Sequence, residues 1–365
     1  MSELTQLRKY LKTMGKVGAS DLHLRVGSKP IFRIDGALKQ GKGFKKLNSE
    51  DTLEIAQVMF NKETEAEFEK KNEVDLSYSA QGLARYRVNI FQQRGEINIA
   101  LRLVPSQVET IEELNLPASL KKIASQTRGM VLVTGTTGSG KSTTLSSMID
   151  HINRNFSRHI ITLEDPIEYL HKDIKSIISQ RELGIDTYSY PGALKNIVRQ
   201  DPDVILIGEM RDTSTMKAAL RAAQMGHLVL STVHTIDAMQ TVSRIVDIFP
   251  PHQQSQVRMQ LADSLSAVIS QRLLPRKNHK GMVPAVEVLV VTGLIRSLIE
   301  EQKFSKITEH MSKGDYYGMQ TFNQALEKLY RDDKITLDTA KQAATNPEDL
   351  MLKIRGIKSD SGATE

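Results

Sequence analysis

Residues 135–142 read Gly135-Thr136-Thr137-Gly138-Ser139-Gly140-Lys141-Ser142. This is the spacing G-x-x-x-x-G-K-[ST] of a phosphate-binding loop. Its glycines let successive backbone N–H groups curl around phosphate oxygens. Lys141 would reach the β- and γ-phosphates of a nucleotide such as ATP, and the Ser142 hydroxyl, followed by Thr143, would bind Mg²⁺. A short pattern can arise by chance, so its flanks decide. Met130-Val131-Leu132-Val133-Thr134 upstream is an apolar, β-rich run. Downstream, Leu145, Met148, Ile149 and Ile152 recur at helical spacing. Strand, glycine loop, helix is the order that the chemistry requires.

Such a site needs carboxylates at the ends of neighbouring strands. Asp203-Val204-Ile205-Leu206-Ile207-Gly208-Glu209 is an apolar strand ending in an acid. Glu209 is placed to engage Mg²⁺ or to activate the attacking water. Asp203 opens the same strand, at the wrong end, and reads as structural. His159-Ile160-Ile161 leads into Thr162-Leu163-Glu164-Asp165-Pro166-Ile167-Glu168, three acids in five residues. Beside phosphates their clustering at a strand's C-terminal end argues for a metal or a positioned water. Taken alone, a solvated acidic turn explains the cluster equally well. A further strand is bracketed by His227 and His234. His234 follows it, at the nucleotide edge, where it could sense a γ-phosphate. Neither histidine has metal-ligand spacing with another His, and there is no cysteine.

Those strands and helices must be positioned by the rest of the chain. From about Ile111 to Pro275 strands alternate with helices, the signature of a parallel sheet flanked by helices. The first hundred residues predict a separate, small α/β domain. Leu4–Met14 has helical spacing, residues 21–26 alternate as a half-buried strand, and Ile31–Ile34 ends in an Asp35-Gly36 turn. Residues 48–70 predict one charged helix with Ser49 at its N-cap. Residues 84–90 and 97–103 predict two strands joined around Arg94-Gly95. Arg85 and Arg87 then share one strand face, with Arg102 on the neighbouring strand. Together they could form an anion site or only a solvated basic face. The expected domains are 1–103, a linker 104–110, an ATPase core 111–275, a mostly helical part 276–357, and a fraying tail 358–365.

Composition narrows the function classes. The chain has 365 residues, 39% of them apolar, which suffices for a real core. With no cysteine, disulfides, cysteine-ligated zinc, iron–sulfur clusters and a cysteine nucleophile are excluded. The net charge is only +6 and aromatic residues make up 5%, with no Trp. That is poor material for a nucleic-acid channel with stacking aromatics, so a nucleic-acid-translocating ring is the disfavoured alternative. No apolar run approaches the length of a membrane span, and the first residues lack a secretory pattern, so a cytoplasmic location is expected.

With these motifs in hand, the chain resembles the type IV pilus retraction ATPases, the PilT/PilU branch of the secretion ATPase superfamily. Residues 19–24 (Ala-Ser-Asp-Leu-His-Leu) resemble the opening of that family. Residues 164–168 match its aspartate box. Residues 199–212, with Pro202-Asp203 and Gly208-Glu209-Met210-Arg211-Asp212, match its long Walker B signature. Gly226-His227 and His234-Thr235 match its histidine box. The resemblance implies a PAS-like N-terminal domain, a RecA-like P-loop ATPase domain and a homohexameric ring hydrolysing Mg-ATP. It also implies docking at the inner-membrane base of a pilus machine, against a platform protein and possibly a paralogous motor. By the same resemblance Glu209 and Glu164 are catalytic or water-positioning carboxylates, and N-terminal-domain arginines, here Arg85, Arg87 and Arg102, serve the site. Assembly and type II secretion motors, the nearer alternative, are typically longer at the N-terminus, and many carry a four-cysteine zinc insertion. Residues 294–301 (Leu-Ile-Arg-Ser-Leu-Ile-Glu-Glu) resemble the retraction motors' C-terminal element, keeping Arg296 and differing at Ser297 and Glu300. A main or an accessory retraction motor is the expected function.

Overall fold

The computed structural model describes residues 3–356 except His279. The expected fraying tail, 358–365, lies outside the described residues. By contact density the chain divides into two units, 1–107 with 166–170, and 108–165 with 171–365.

The first unit runs α1 (Glu3–Lys16), β1 (Asp21–Leu24), β2 (Ile31–Ile34), β3 (Ala37–Gln40), α2 (Ser49–Met59), α3 (Lys62–Lys71), β4 (Glu73–Ala80), β5 (Ala84–Gln93) and β6 (Glu96–Leu103). Its strands form one six-stranded sheet in the order β3-β2-β1-β6-β5-β4. Alternation along the strands sorts the side chains. Leu22, Leu24, Val88, Ile90, Ile99 and Leu101 turn toward Leu7, Leu11 and Met14 of α1 and Ile55 and Met59 of α2. The residues between them, Asp21, Arg85, Arg87 and Arg102, lie on the opposite face. The β5–β6 hairpin closes through Arg94 and Gly95, both at positive φ (57° and 80°), as a tight two-residue turn requires.

The single helix expected over 48–70 is two. Phe60 leaves helical geometry, and Asn61 starts α3 by accepting from the N–H groups of Glu63 and Thr64. The N-cap of α2 is Asn48, not Ser49. Its side chain accepts from the Asp51 N–H while Asp51 reaches back to the Asn48 N–H. This reciprocal pair satisfies two otherwise orphaned donors, which Ser49 could not do from inside the helix. Strand β4 was not foreseen.

The second unit carries α4 (Ser119–Ala124), β7 (Gly129–Thr134), α5 (Lys141–Asn155), β8 (His159–Glu164), β9 (Ile177–Glu182), α6 (Tyr190–Ile197), β10 (Val204–Ile207), α7 (Thr213–Gln224), β11 (Leu228–Val233), α8 (Ala238–Asp247), α9 (Pro251–Ser264), β12 (Leu265–Pro275) and β13 (Met282–Val290). Helices α10 (Gly293–Glu300), α11 (Ile307–Ser312), α12 (Phe322–Arg331), α13 (Leu337–Ala343) and α14 (Pro347–Ile354) follow. The seven strands are ordered β13-β12-β7-β11-β10-β8-β9. All neighbours are parallel except the β12–β13 pair. Both faces are covered. Val131, Val133, Leu206 and Leu230 pack with α4 and α5, while Met130, Leu132, Ile205 and Val229 pack with α6, α7, α8 and α9. Sheets buried on both sides need apolar strands, which is what residues 130–133 and 204–207 supply.

One buried carboxyl fastens the C-terminal helices to this core. Glu287 of β13, 5% exposed, accepts from the Ala238 N–H (2.8 Å) and the Phe322 N–H (3.3 Å), the first residues of α8 and α12. Burial pushes its pKa up from 4.5 to about 7. Asp237 adds to the rise, and the two N–H donors and Arg272 oppose it. The native state therefore holds this proton more tightly than the unfolded chain between the two values, so the group's contribution to stability falls as pH rises through that window. Replacing Glu287 by Gln removes the titration. The stability of the parent relative to Glu287→Gln is expected to fall by roughly 2–3 kcal/mol between pH 5 and pH 8. Urea unfolding across that range measures it, and parallel profiles would contradict it.

Candidate functional site

The parallel strands converge on one edge, the C-terminal ends of β7, β11, β10 and β8, and the site is built there. After the buried strand β7 the chain turns through residues 135–140 and enters α5 at Lys141. The cap residue Gly140 is left-handed (φ 91°) and offers no side chain to the first turn. The leading N–H groups of α5 are thus available to an anion, at the positive end of a 15-residue helix. The Lys141 side chain folds back into the loop, where Nζ donates to the Gly135 and Thr136 carbonyls at 3.0 Å each. Lys141 is only 9% exposed. Ser139 Oγ is buried and has no hydrogen-bond partner among the described residues. A donor-rich loop with an orphaned hydroxyl and a buried ammonium fits phosphate.

The carboxylates stand on the adjacent strands. Glu164 ends β8 and accepts from Thr162 Oγ1 (2.7 Å) and Gln180 Nε2 (3.1 Å). Glu209 follows β10 by way of Gly208, whose N–H donates to the Leu163 carbonyl of the neighbouring strand at 2.7 Å. Two side chains face Glu209. Arg211 Nη2 lies 2.8 Å from one oxygen and His234 Nε2 lies 3.0 Å from the other. Burial raises the Glu209 pKa, but the Arg211 hydrogen bond and the charges of His234, Arg211 and Lys141 outweigh it and hold the carboxyl below its ordinary value. Glu209 is therefore ionised at neutral pH. The predicted set Lys141, Glu209 and His234 is gathered at one place.

The other histidine, His227, sits at the opposite end of β11 with Nδ1 2.8 Å from the Pro202 carbonyl oxygen, a structural contact. Asp203 is structural as well, accepting from the His159 N–H at 2.8 Å. Two further residues at the edge went unnoticed in the sequence. Tyr190, the first residue of α6, has its hydroxyl 3.2 Å from where a Gly208 Cβ would stand. Burial, then Asp165, Glu164 and Glu209, push its ionisation well above the ordinary value, so it remains a neutral donor. Gln180, on β9, holds Glu164. Neither belongs to a local motif; Ser189 caps α6, the helix that begins with Tyr190 and Pro191.

Beside the loop a pocket of about 250 Å³ opens between Thr143 and Thr144 of α5 and Leu273, Arg276, Met282 and Pro284 of the β12–β13 hairpin. It is roomy enough for part of a nucleotide. Among the described residues no cluster of three or more His, Asp or Glu could cage a metal unaided. Ser142, the second residue of α5, could hold a cation beside a phosphate bound on the loop.

In the first unit, strand register sets Arg87 beside Arg102, Arg102 beside Asp21, and Asp21 beside Arg33. Arg102 Nε donates to Asp21 at 2.7 Å, which neutralises it locally. Arg87 lies 3.9 Å from Glu168. Arg85 donates to Ser79 Oγ at 3.1 Å.

Comparison with known proteins places this geometry. The type II/IV secretion system protein family matches residues 4–354. The type IV pilus retractation ATPase PilT of Pseudomonas aeruginosa is 40% identical over 346 residues, covering 95% of this chain and 99% of that protein. The type IV pilus ATPase PilU of the same organism is also 40% identical, over 357 residues, covering 98% and 93%. A crystal structure of the pilus retraction motor PilT with bound ADP superposes with a TM-score of 0.87 at 46% identity, covering 94% and 98%. That likeness gives the second unit a RecA-like fold and the first the fold of the N-terminal domain.

The loop itself is testable. A Cβ on Gly135 would come within 2.5 Å of Ser139 Oγ and 2.6 Å of the Gln271 carbonyl, at φ +143°. One on Gly138 meets nothing within 4 Å, although φ is +79°. Gly135→Ala should cost a few kcal/mol of stability and about tenfold or more in nucleotide affinity, and Gly138→Ala roughly 1–2 kcal/mol and little affinity. Thermal melts and titration with a fluorescent ADP derivative read both; the reverse ranking would contradict the geometry.

Proposed function

The chain belongs to the type II/IV secretion system protein family, and from that premise we propose that it is an ATP-hydrolysing motor powering type IV pilus retraction, as main or accessory motor. The observation that carries the reading is the buried Lys141 ammonium inside a phosphate loop, with ionised Glu209 at the end of a strand on the same sheet edge. Full-length similarity to retraction motors supports the direction of the work.

ATP binds with its phosphates on the loop N–H groups and the first turn of α5. Lys141 leaves the Gly135 and Thr136 carbonyls for the β- and γ-phosphate oxygens. That exchange replaces two dipoles by full negative charge in a site sheltered from water, where such contacts count most. The Ser142 hydroxyl would hold a Mg²⁺ ion against the phosphates, with Glu164 and Glu209 facing the ion or its waters, and the ion would supply charge neutralisation there. Glu209 orients the attacking water and takes its proton, since its carboxyl is ionised at neutral pH. His234 and Arg211, which pair with Glu209, are placed to follow the γ-phosphate and report its loss.

In a homohexameric ring, Arg87, Arg85 and Arg102 of a neighbouring subunit's N-terminal unit complete the site as arginine fingers do. Arg87, 3.9 Å from Glu168, is held more loosely than Arg102, 2.7 Å from Asp21, and is the first candidate. Among the described residues no helix is long and apolar enough to cross a membrane. By similarity to pilus retraction motors, the motor docks on the inner-membrane base of the pilus machine through a platform protein, with a paralogous ATPase as a second partner. Release of the γ-phosphate lets the N-terminal units turn in sequence, and the platform returns pilin subunits to the membrane.

Glu209→Gln keeps the shape and removes the charge. It should bind ATP within a few-fold of the parent while turnover falls roughly 100-fold or more. Lys141→Ala should lose hydrolysis outright. Equilibrium binding and phosphate release on the purified variants test this. Lost binding with unchanged turnover per bound ATP in Glu209→Gln would overturn the role given to that residue.

A further inference from the structure

Glu164 cannot orient anything unless it is itself held, and the hold is unusual. Parallel pairing of β8 with β9 sets Gln180 level with Thr162, two residues before Glu164. Both side chains reach forward to the same oxygen. Thr162 Oγ1 donates to Glu164 Oε1 at 2.7 Å and Gln180 Nε2 donates to it at 3.1 Å. A glutamine amide can in principle face either way. Here its sense is fixed from behind, because Gln180 Oε1 accepts the His171 backbone N–H at 2.9 Å. Turned over, the amide would set N–H against N–H on one side and oxygen against carboxylate on the other.

His171 is itself anchored. Its Nε2 lies 3.2 Å from Ser146 Oγ on α5, the helix that the phosphate loop starts. Burial lowers its pKa to about 4, so the imidazole is neutral in the working range and brings no charge toward the carboxylates. A continuous path thus runs from α5 through Ser146, His171 and Gln180 to Glu164. It also closes the stem of an excursion. The chain leaves the second unit after Asp165, spends residues 166–170 with the first unit, and returns at His171. One amide ties the departing residue Glu164 to the returning residue His171.

We propose that Gln180 is a positioning residue for hydrolysis, which sets the Glu164 carboxylate by an amide whose sense the His171 N–H dictates. The inference rests on the reading of Glu164 as a working carboxylate. Gln180 acts through Glu164, so its loss should appear in kcat and leave KM alone.

Full-length protein and steady-state ATP hydrolysis provide the test, with four variants. Gln180→Met keeps the length and removes the donor; kcat should fall about tenfold or more with KM for ATP within threefold. Gln180→Glu keeps an acceptor for His171 and sets a second carboxylate against Glu164, and should lose at least as much. It serves as the folded comparison if Gln180→Met melts early. Glu164→Gln should lower kcat, and adding Gln180→Met to it should cost nothing more, because a residue that acts through Glu164 has nothing left to hold. If Glu164→Gln lowers kcat while both folded Gln180 variants turn over like the parent, the proposal is overturned and the Glu164 reading stands. Losses that multiply in the double variant also overturn it, marking Gln180 as support for the fold. Parental turnover in Glu164→Gln would instead remove the Glu164 reading, and the proposal with it.

Discussion

The structure turns on charge gathered at one edge of a parallel sheet. The Lys141 ammonium is buried and donates to two carbonyl oxygens of its own loop. Glu209 and Glu164 stand on neighbouring strand ends of the same sheet. Burying a charge is costly, and dipoles offset only part of that cost. A phosphate chain on the loop would bring negative charge to the Lys141 ammonium, beside a Glu209 carboxylate that Arg211 and His234 hold. The arrangement is therefore poised for a nucleotide, and the order β7-β11-β10-β8 exists to bring those strand ends side by side.

Around this edge, helix N-termini and strand ends are tied by single polar side chains. Glu287 joins the starts of α8 and α12; Gln180 joins Glu164 to His171; Thr232 Oγ1 donates to the Gly208 carbonyl just before Glu209. Each tie satisfies buried polar groups and fixes one geometry, so each also links the site to an element away from it. Helix α8 begins four residues beyond His234, whose Nε2 faces Glu209. A change in how Glu209 and His234 pair is thereby within reach of the C-terminal helices through Glu287. A motor needs connections of this kind between its phosphate site and its moving parts.

Much of the site was legible because its chemistry is local. The phosphate loop, Glu209 and His234 each follow an apolar strand within a few residues, and the parallel sheet follows from that alternation. What escaped notice is tertiary. Gln180 and Tyr190 reach the acids only through strand pairing and helix packing, and no spacing in the sequence announces either. The excursion of residues 166–170 into the first unit is equally silent. Where local reading failed, competing local signals were the reason. Residues 48–70 are helical throughout in composition, yet Asn61 caps a second helix better than it extends the first, and Asn48 caps better than Ser49. Arg102 lies on the strand beside Arg87 as expected, but Asp21, two strands from Arg87, claims it.

The central claim is the direction of the work, and one genetic measurement addresses it directly. The gene is deleted in its pilus-bearing host, and surface pili are counted alongside twitching. The account predicts cells that keep their pili and are impaired in twitching, restored by the parent gene and not by one encoding Lys141→Ala. Bald cells after deletion would mean that the motor builds pili, and would contradict it.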